Sequence, residues 1–130
     1  MFIQLVSWFE NRPKISWAIT LIGAISIFLI SSITFPQGDS SGLNLKPLIY
    51  HFFAFFFFAA FMLMSIVQRK HKNLLGLAVL LSILYGVLDE VHQLYVVGRD
   101  FSVGDILVDV LGVSVASIIY IATIKLRKSK

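Results

Sequence analysis

Long apolar runs, each followed by a short polar stretch, dominate this chain of 130 residues. Four runs reach the roughly 20 residues that a helix needs to cross a hydrocarbon core, and they lie at about 15–35, 47–67, 74–95 and 103–124. They lack the alternating polarity of an outer-membrane barrel, and an open sheet would leave backbone groups unsatisfied in lipid. The pattern therefore predicts an all-α fold, a four-helix transmembrane bundle, with residues 1–130 as a single domain.

A shorter amphipathic stretch precedes the first long run. One face of a helix built from residues 1–11 would carry four apolar side chains, those of Phe2, Leu5, Val6 and Phe9. Such a face suits a short helix lying in the cytoplasmic interface of the membrane. A frayed chain end is the alternative interpretation of the same stretch.

Composition and charge support a membrane location. The chain is 58% hydrophobic and 14% charged, whereas soluble domains are about 45–50% apolar. It has no cysteine, which excludes disulfides, thiolate metal sites and cysteine nucleophiles. The formal net charge of +4 would suit nucleic acid, but the cations lie in short groups at the ends of the apolar runs. We therefore expect membrane lipids as partners and no nucleic acid.

The placement of the cations also predicts the orientation of the bundle. Nine of the 11 Lys and Arg residues lie in segments that should share one side of the membrane: Arg12, Lys14, Arg69, Lys70, Lys72, Lys125, Arg127, Lys128 and Lys130. Loops rich in Lys and Arg stay in the cytoplasm. We expect both termini to be cytoplasmic in a multi-pass protein of the cytoplasmic membrane, with Lys46 and Arg99 outside.

The third apolar segment ends in a run of mostly polar and ionisable residues: Asp89, Glu90, Val91, His92 and Gln93. Ionisable residues at membrane depth persist mainly where they face a bundle interior or a wet cavity, so they mark functional sites. In the predicted orientation this run lies on the extracytoplasmic side.

Polar residues of the neighbouring segments should lie at the same depth. Asp105 and Asp109 share one helical stripe with small residues further in, and His51 lies about one turn from the outer end of the second segment. We predict a catalytic or proton-carrying group of Asp89, Glu90, His92 and His51. We predict a substrate-binding group of Gln93, Arg99, Asp105 and Asp109, in which Arg99 grips an anion.

Several of these residues also have structural interpretations. Ser102 and Asp105 have the spacing of a capping box at the start of a helix. Asp109 could be a structural partner of Arg99, and His51 an ordinary interfacial histidine. Capping and a functional role for Asp105 are compatible.

Four carboxylates at one depth, opposed mainly by Arg99, cannot all ionise unaided. A shared proton, a bound metal or a cationic ligand are the three physical resolutions. The spacing of Asp89 and His92 resembles the Glu-x-x-His element of carboxylate metal bundles, with further ligands available from His51, Asp105 or Asp109. The sequence leaves the identity of any metal or cofactor open.

These groups could serve three functions. A carboxylate and a histidine, with Arg99 holding an anionic group, could carry out acid-base chemistry on a lipid-linked substrate. The pocket could bind a cationic or hydroxyl-rich ligand without chemistry. It could also pass protons or cations in a small transporter.

The residues Asp89, Glu90, Gln93, Arg99, Ser102, Asp105, Asp109 and Gly112 resemble the signature of the VanZ-like family, small bacterial four-helix membrane proteins named for a teicoplanin-resistance factor. The likeness covers about residues 74–116, and the four-helix plan extends it over nearly the whole chain. His51 fits the Asp-Lys-x-x-His pattern of that family, but Leu48 holds the lysine position. Asp109 stands where Asn is common, and Ala116 where Gly is common.

The resemblance implies a role at the cell envelope and altered susceptibility to glycopeptide antibiotics, but no established reaction. We expect the protein to bind a lipid-linked or cell-wall intermediate. Chemical modification of that intermediate is a further alternative. The oligomeric state is not indicated by any motif.

Overall fold

A computed structural model describes residues 1–34 and 45–128, which form five α-helices and no strand. The helices are α1 (Phe2–Glu10), α2 (Pro13–Ser31), α3 (Leu45–Val67), α4 (Leu75–Gln93) and α5 (Val103–Lys128), and a 3-10 turn at Lys72–Leu74 precedes α4. Four spans, which include α2 to α5, are long and apolar enough to cross a membrane. The all-α, four-helix prediction is confirmed; the side of the membrane on which the termini lie stays a prediction.

The helix ends differ from the predicted bounds by a few residues. Pro13 begins α2 earlier than expected, because the first helical position does not need the N–H that proline lacks. The predicted end of that helix at Phe35 lies outside the described residues. The chain leaves α4 at Gln93 and turns at Gly98, whose φ of +81° suits glycine. A Cβ at Gly98 would also lie 2.7 Å from Thr34 Cγ2.

Helix α3 is central and packs against α2, α4 and α5. Its buried face carries Phe55, Ala59 and Leu63. The approach of α5 to α3 is close at Gly112, where a Cβ would lie 2.5 Å from the Phe52 carbonyl oxygen. Any larger residue at Gly112 would push the two helices apart. This glycine therefore sets how closely α5 and its side chains approach α3.

Helix α1 is held against the C-terminal end of α5. The Tyr120 hydroxyl donates to Glu10 Oε1 at 2.5 Å, and Arg127 Nη1 donates to Glu10 Oε2. We call Glu10, Tyr120 and Arg127 the Glu10 cluster. Its contacts place the N-terminal helix and the end of α5 at the same end of the bundle. The predicted amphipathic helix is therefore present, and Val6 on its apolar face is buried.

Candidate functional site

Seven polar residues lie together at the end of the bundle opposite the Glu10 cluster. Helix α3 contributes its first turns, α4 its last turn, and α5 its first two turns. We call this group the His51 cluster: His51, Asp89, Glu90, Gln93, Arg99, Asp105 and Asp109. Five of the seven are buried, while Arg99 and Asp105 are partly exposed.

A hydrogen bond between His51 and Asp109 forms the centre of the cluster. His51 Nδ1 and Asp109 Oδ1 are 2.9 Å apart, and a carboxylate only accepts, so Nδ1–H is the donor. Gly86 of α4 leaves room for this pair, because a Cβ there would lie 3.1 Å from Asp109 Oδ2. Asp109 is thus the partner of His51 rather than of Arg99.

The other imidazole nitrogen faces two further carboxylates. His51 Nε2 lies 3.8 Å from Asp105 Oδ2 and 4.0 Å from Glu90 Oε1, which is too long for hydrogen bonds. Nε2 and Asp109 Oδ2 are buried without a hydrogen-bond partner among the described residues. One ligand atom each from His51, Glu90 and Asp105 lies within 4.8 Å of the others, so these three residues could hold a metal ion.

Gln93 connects the two adjacent carboxylates of α4 with Arg99. Its Nε2 donates to Asp89 Oδ2 and to Glu90 Oε1, each at 3.2 Å. Its Oε1 accepts from Arg99 Nη2 at 2.8 Å and Nε at 3.1 Å. Arg99 therefore acts on the carboxylates through the amide of Gln93. The role of Arg99 as an anion clamp stays a prediction.

The predicted capping box at the start of α5 is only half formed. The Ser102 hydroxyl accepts from the Asp105 N–H at 3.1 Å, as a cap does. The Ser102 N–H, however, donates to Glu90 Oε2 at 2.8 Å. Because Glu90 takes the position that Asp105 would occupy in a complete box, the Asp105 carboxylate is left to face His51.

His92 does not lie in the His51 cluster, which corrects its predicted grouping with the catalytic residues. Its ring stacks on Phe28 with centroids 4.3 Å apart, and its Nε2 is 2.9 Å from the Ser32 hydroxyl. His92 follows Glu90 by two residues, a rotation of about 200° around the helix. Once Glu90 faces α3 and α5, His92 must face α2.

Tyr50 is a candidate residue that the sequence pattern did not identify. Its ring lines a groove of about 250 Å³ between α2 and α3, whose other walls include Gly23, Ile27 and Phe57. Its hydroxyl is buried without a partner among the described residues, and it interacts electrostatically with Asp89 and other charged residues of the cluster. A tyrosine near a helix end is typical of the aromatic belt. The sequence pattern therefore does not distinguish Tyr50 as a residue of the site.

Comparison with known protein families matches residues 4–125, nearly the whole chain, to the family described as VanZ/LLP1. The match confirms the resemblance carried by the acidic residues of α4 and α5. Comparisons with curated proteins and with solved structures found no match.

Proposed function

The chain belongs to the VanZ/LLP1 family, and we propose that it binds the polar head group of a lipid-linked envelope intermediate in the His51 cluster. The observation that carries this proposal is the position of Tyr50. Its ring lines the apolar groove between α2 and α3, and its buried hydroxyl has no partner among the described residues. A lipid chain in the groove would therefore bring its head group to the cluster.

The charges of the cluster indicate which head groups would fit. Asp89, Glu90, Asp105 and Asp109 bring four carboxylates, and the Arg99 guanidinium already donates to Gln93. A bare anionic group would be repelled at close range. We therefore propose a head group rich in hydroxyls or bearing an amine, whose donors can reach the carboxylates and the Tyr50 oxygen.

The interior of the bundle supports binding at one end over passage of protons or cations. Between the two clusters, the buried core contains Phe55, Leu63 and Val113. Buried hydroxyls in this region, such as Ser82 and Ser117, donate to carbonyls of their own helices. These contacts do not connect the two ends, so the arrangement supports a binding site more than a relay.

Native mass spectrometry of the protein extracted directly in lipid nanodiscs tests the binding proposal. We expect co-purified lipid-linked species with a hydroxyl-rich or amine-bearing head group, and about fivefold less of them with Tyr50→Phe, because one hydrogen bond contributes about 1 kcal/mol. Tyr95→Phe is the matched control, since Tyr95 is 82% exposed. Bulk phospholipid as the only bound lipid would contradict the proposal. Glycopeptide susceptibility of the expressing host is a second measurement.

The proposed orientation has its own test, because the chain contains no cysteine. A single cysteine at Val97, which is 89% exposed near the His51 cluster, should react with a membrane-impermeant maleimide added to intact cells. A cysteine at Lys70, beyond the other end of α3, should react only after permeabilisation. The reverse pattern would place the His51 cluster on the cytoplasmic side.

A further inference from the structure

We propose that His51, Glu90 and Asp105 form a divalent-metal site, with zinc as the best-matched ion. Three separate helices each contribute one donor atom, and these atoms lie within 4.8 Å of one another: Nε2 from α3, Oε1 from α4 and Oδ2 from α5. This site goes beyond head-group binding and does not depend on the identity of any lipid.

The orientation of His51 is the independent observation behind this site. The imidazole is 1% exposed, and Asp109 Oδ1 accepts from its Nδ1–H at 2.9 Å. In the neutral imidazole the lone pair is therefore on Nε2, which has no hydrogen-bond partner among the described residues and faces Glu90 and Asp105. A histidine that binds zinc commonly donates its other ring N–H to a carboxylate, which fixes the orientation of the ring.

The second ligand is also held in place from outside the site. Glu90 is completely buried, and the Ser102 N–H donates to its Oε2 at 2.8 Å. Gln93 donates to Oε1 at 3.2 Å and is itself held by Arg99. These hydrogen bonds orient Glu90 and leave the remaining lone pair of Oε1 available for a metal.

The distances between donor atoms are longer than those of a hydrogen-bonded ion pair and leave room for an ion between them. A protonated imidazole that paired with Asp105 or Glu90 would lie at about 2.7–2.9 Å from the carboxylate oxygen. The observed separations are 3.8 and 4.0 Å. Two donors on a tetrahedral zinc ion, each with a bond of about 2.1 Å, are about 3.4 Å apart. Small side-chain movements would therefore close the three donors around one ion.

The ligand types favour zinc over the hard cations. Magnesium and calcium take oxygen ligands almost entirely, whereas an imidazole nitrogen suits zinc and the later transition metals. One histidine and two carboxylates leave a fourth position, as in zinc sites that bind water or substrate. That position would face the partly exposed side of Asp105, whose side chain is 18% exposed. The ion would also neutralise two crowded carboxylates.

This site differs from the metal site suggested by the spacing of Asp89 and His92. Asp89 is hydrogen-bonded to Gln93 and is not in the three-donor group. His92 contacts α2. Asp89 therefore provides a control of the same charge, in the same cluster, that should not be a ligand.

The test uses the full-length protein in detergent, with zinc alone as the probe. After chelation and gel filtration, calorimetric titration should show about one zinc ion per chain. Asp105→Asn and Glu90→Gln should weaken binding more than about 100-fold, whereas Asp109→Asn should fall in the 10–100-fold range of an outer-shell change. Asp89→Asn should weaken binding less than Asp109→Asn does, because Asp89 is linked to Glu90 through Gln93 and is not in the three-donor group.

Two results would overturn the site. The first is no saturable zinc binding by the native protein. The second is an equal loss with Asp89→Asn and Asp105→Asn, which would indicate a diffuse charge effect. Thermal unfolding without zinc checks the fold of each variant, and Asp105→Asn is the decisive variant because Glu90 also holds the Ser102 N–H. Lipid retention, measured separately, can fail while zinc binds, so the two proposals fail independently.

Discussion

The Glu10 cluster and the His51 cluster lie at opposite ends of the same bundle, and both bury carboxylates. In the Glu10 cluster both oxygens of one carboxylate accept hydrogen bonds, from Tyr120 and from Arg127. In the His51 cluster three carboxylates, those of Glu90, Asp105 and Asp109, surround one histidine, and Asp109 Oδ2 and His51 Nε2 have no partner in the described part of the chain. In the Glu10 cluster, Arg127 Nε is also buried without a hydrogen-bond partner among the residues that the structure describes.

This contrast indicates a different role for each end of the bundle. A buried carboxylate whose oxygens are both satisfied holds helices together, and removing it leaves a buried cation. Buried polar atoms without partners each cost about 1–3 kcal/mol, and a ligand can recover that cost on binding. The Glu10 cluster therefore connects α1 to α5, while the His51 cluster has the features of a binding site.

Removal of the Glu10 carboxylate should have the largest effect on stability. Glu10→Ala leaves Arg127, only 11% exposed, without its partner, and should lower the free energy of unfolding by about 3–5 kcal/mol. Unfolding titrations in mixed micelles would measure this. Zinc binding at the far end should be unchanged. A loss below about 1 kcal/mol would mean that the pair is solvated as a surface pair is.

Substitution of Tyr120 and of Tyr50 tests the same difference between the two clusters. Tyr120→Phe removes a hydrogen bond to a carboxylate and should cost about 1.5–3 kcal/mol of unfolding free energy. Tyr50→Phe removes a hydroxyl without a partner among the described residues, so it should leave stability unchanged or slightly raise it while lowering lipid retention. Equal destabilisation by the two changes would break the distinction between the clusters.

Gly112→Ala should disturb the His51 cluster selectively. The added Cβ would meet the Phe52 carbonyl oxygen, and separating α5 from α3 should cost about 1–3 kcal/mol of stability. It should also move Asp109 away from His51 and weaken zinc binding. Gly76→Ala is the control, because its Cβ would meet nothing within 4 Å. Normal zinc affinity in Gly112→Ala would mean that α5 adjusts without shifting the site.

Asp89→Asn should have a small effect on stability, opposite in sign to that of Glu10→Ala. Asp89→Asn removes one charge from the crowded cluster, near the C-terminal end of α4 where the helix dipole disfavours an anion. We expect the free energy of unfolding in the absence of zinc to rise by about 0.5–1 kcal/mol. Glu10→Gln, measured in parallel, should lower it. If both variants are destabilised alike, the carboxylates of the His51 cluster are as well satisfied as Glu10.

The sequence predicted most of the fold and much of the composition of the site. The hydropathy profile follows directly from the sequence, so the four long helices could be located before any tertiary contact was known. The depth of Asp89, Glu90 and Asp109 followed from the same pattern, because each lies near the end of an apolar run. The Glu10 cluster could not be found this way, since Glu10 and Arg127 are 117 positions apart.

The partners of each polar group were decided only by the tertiary structure. A helical pattern gives the face on which a residue lies, but each residue turns the helix by about 100°, so small rotations choose between Asp89 and Glu90 as the carboxylate that meets His51. Packing at Gly112 and Gly86 sets those rotations. The same packing directs His92 to α2 and lets Glu90 take the Ser102 amide. The order of residues thus places these side chains at one end of the bundle; close contacts between the helices, such as those at Gly112 and Gly86, decide which of them face one another.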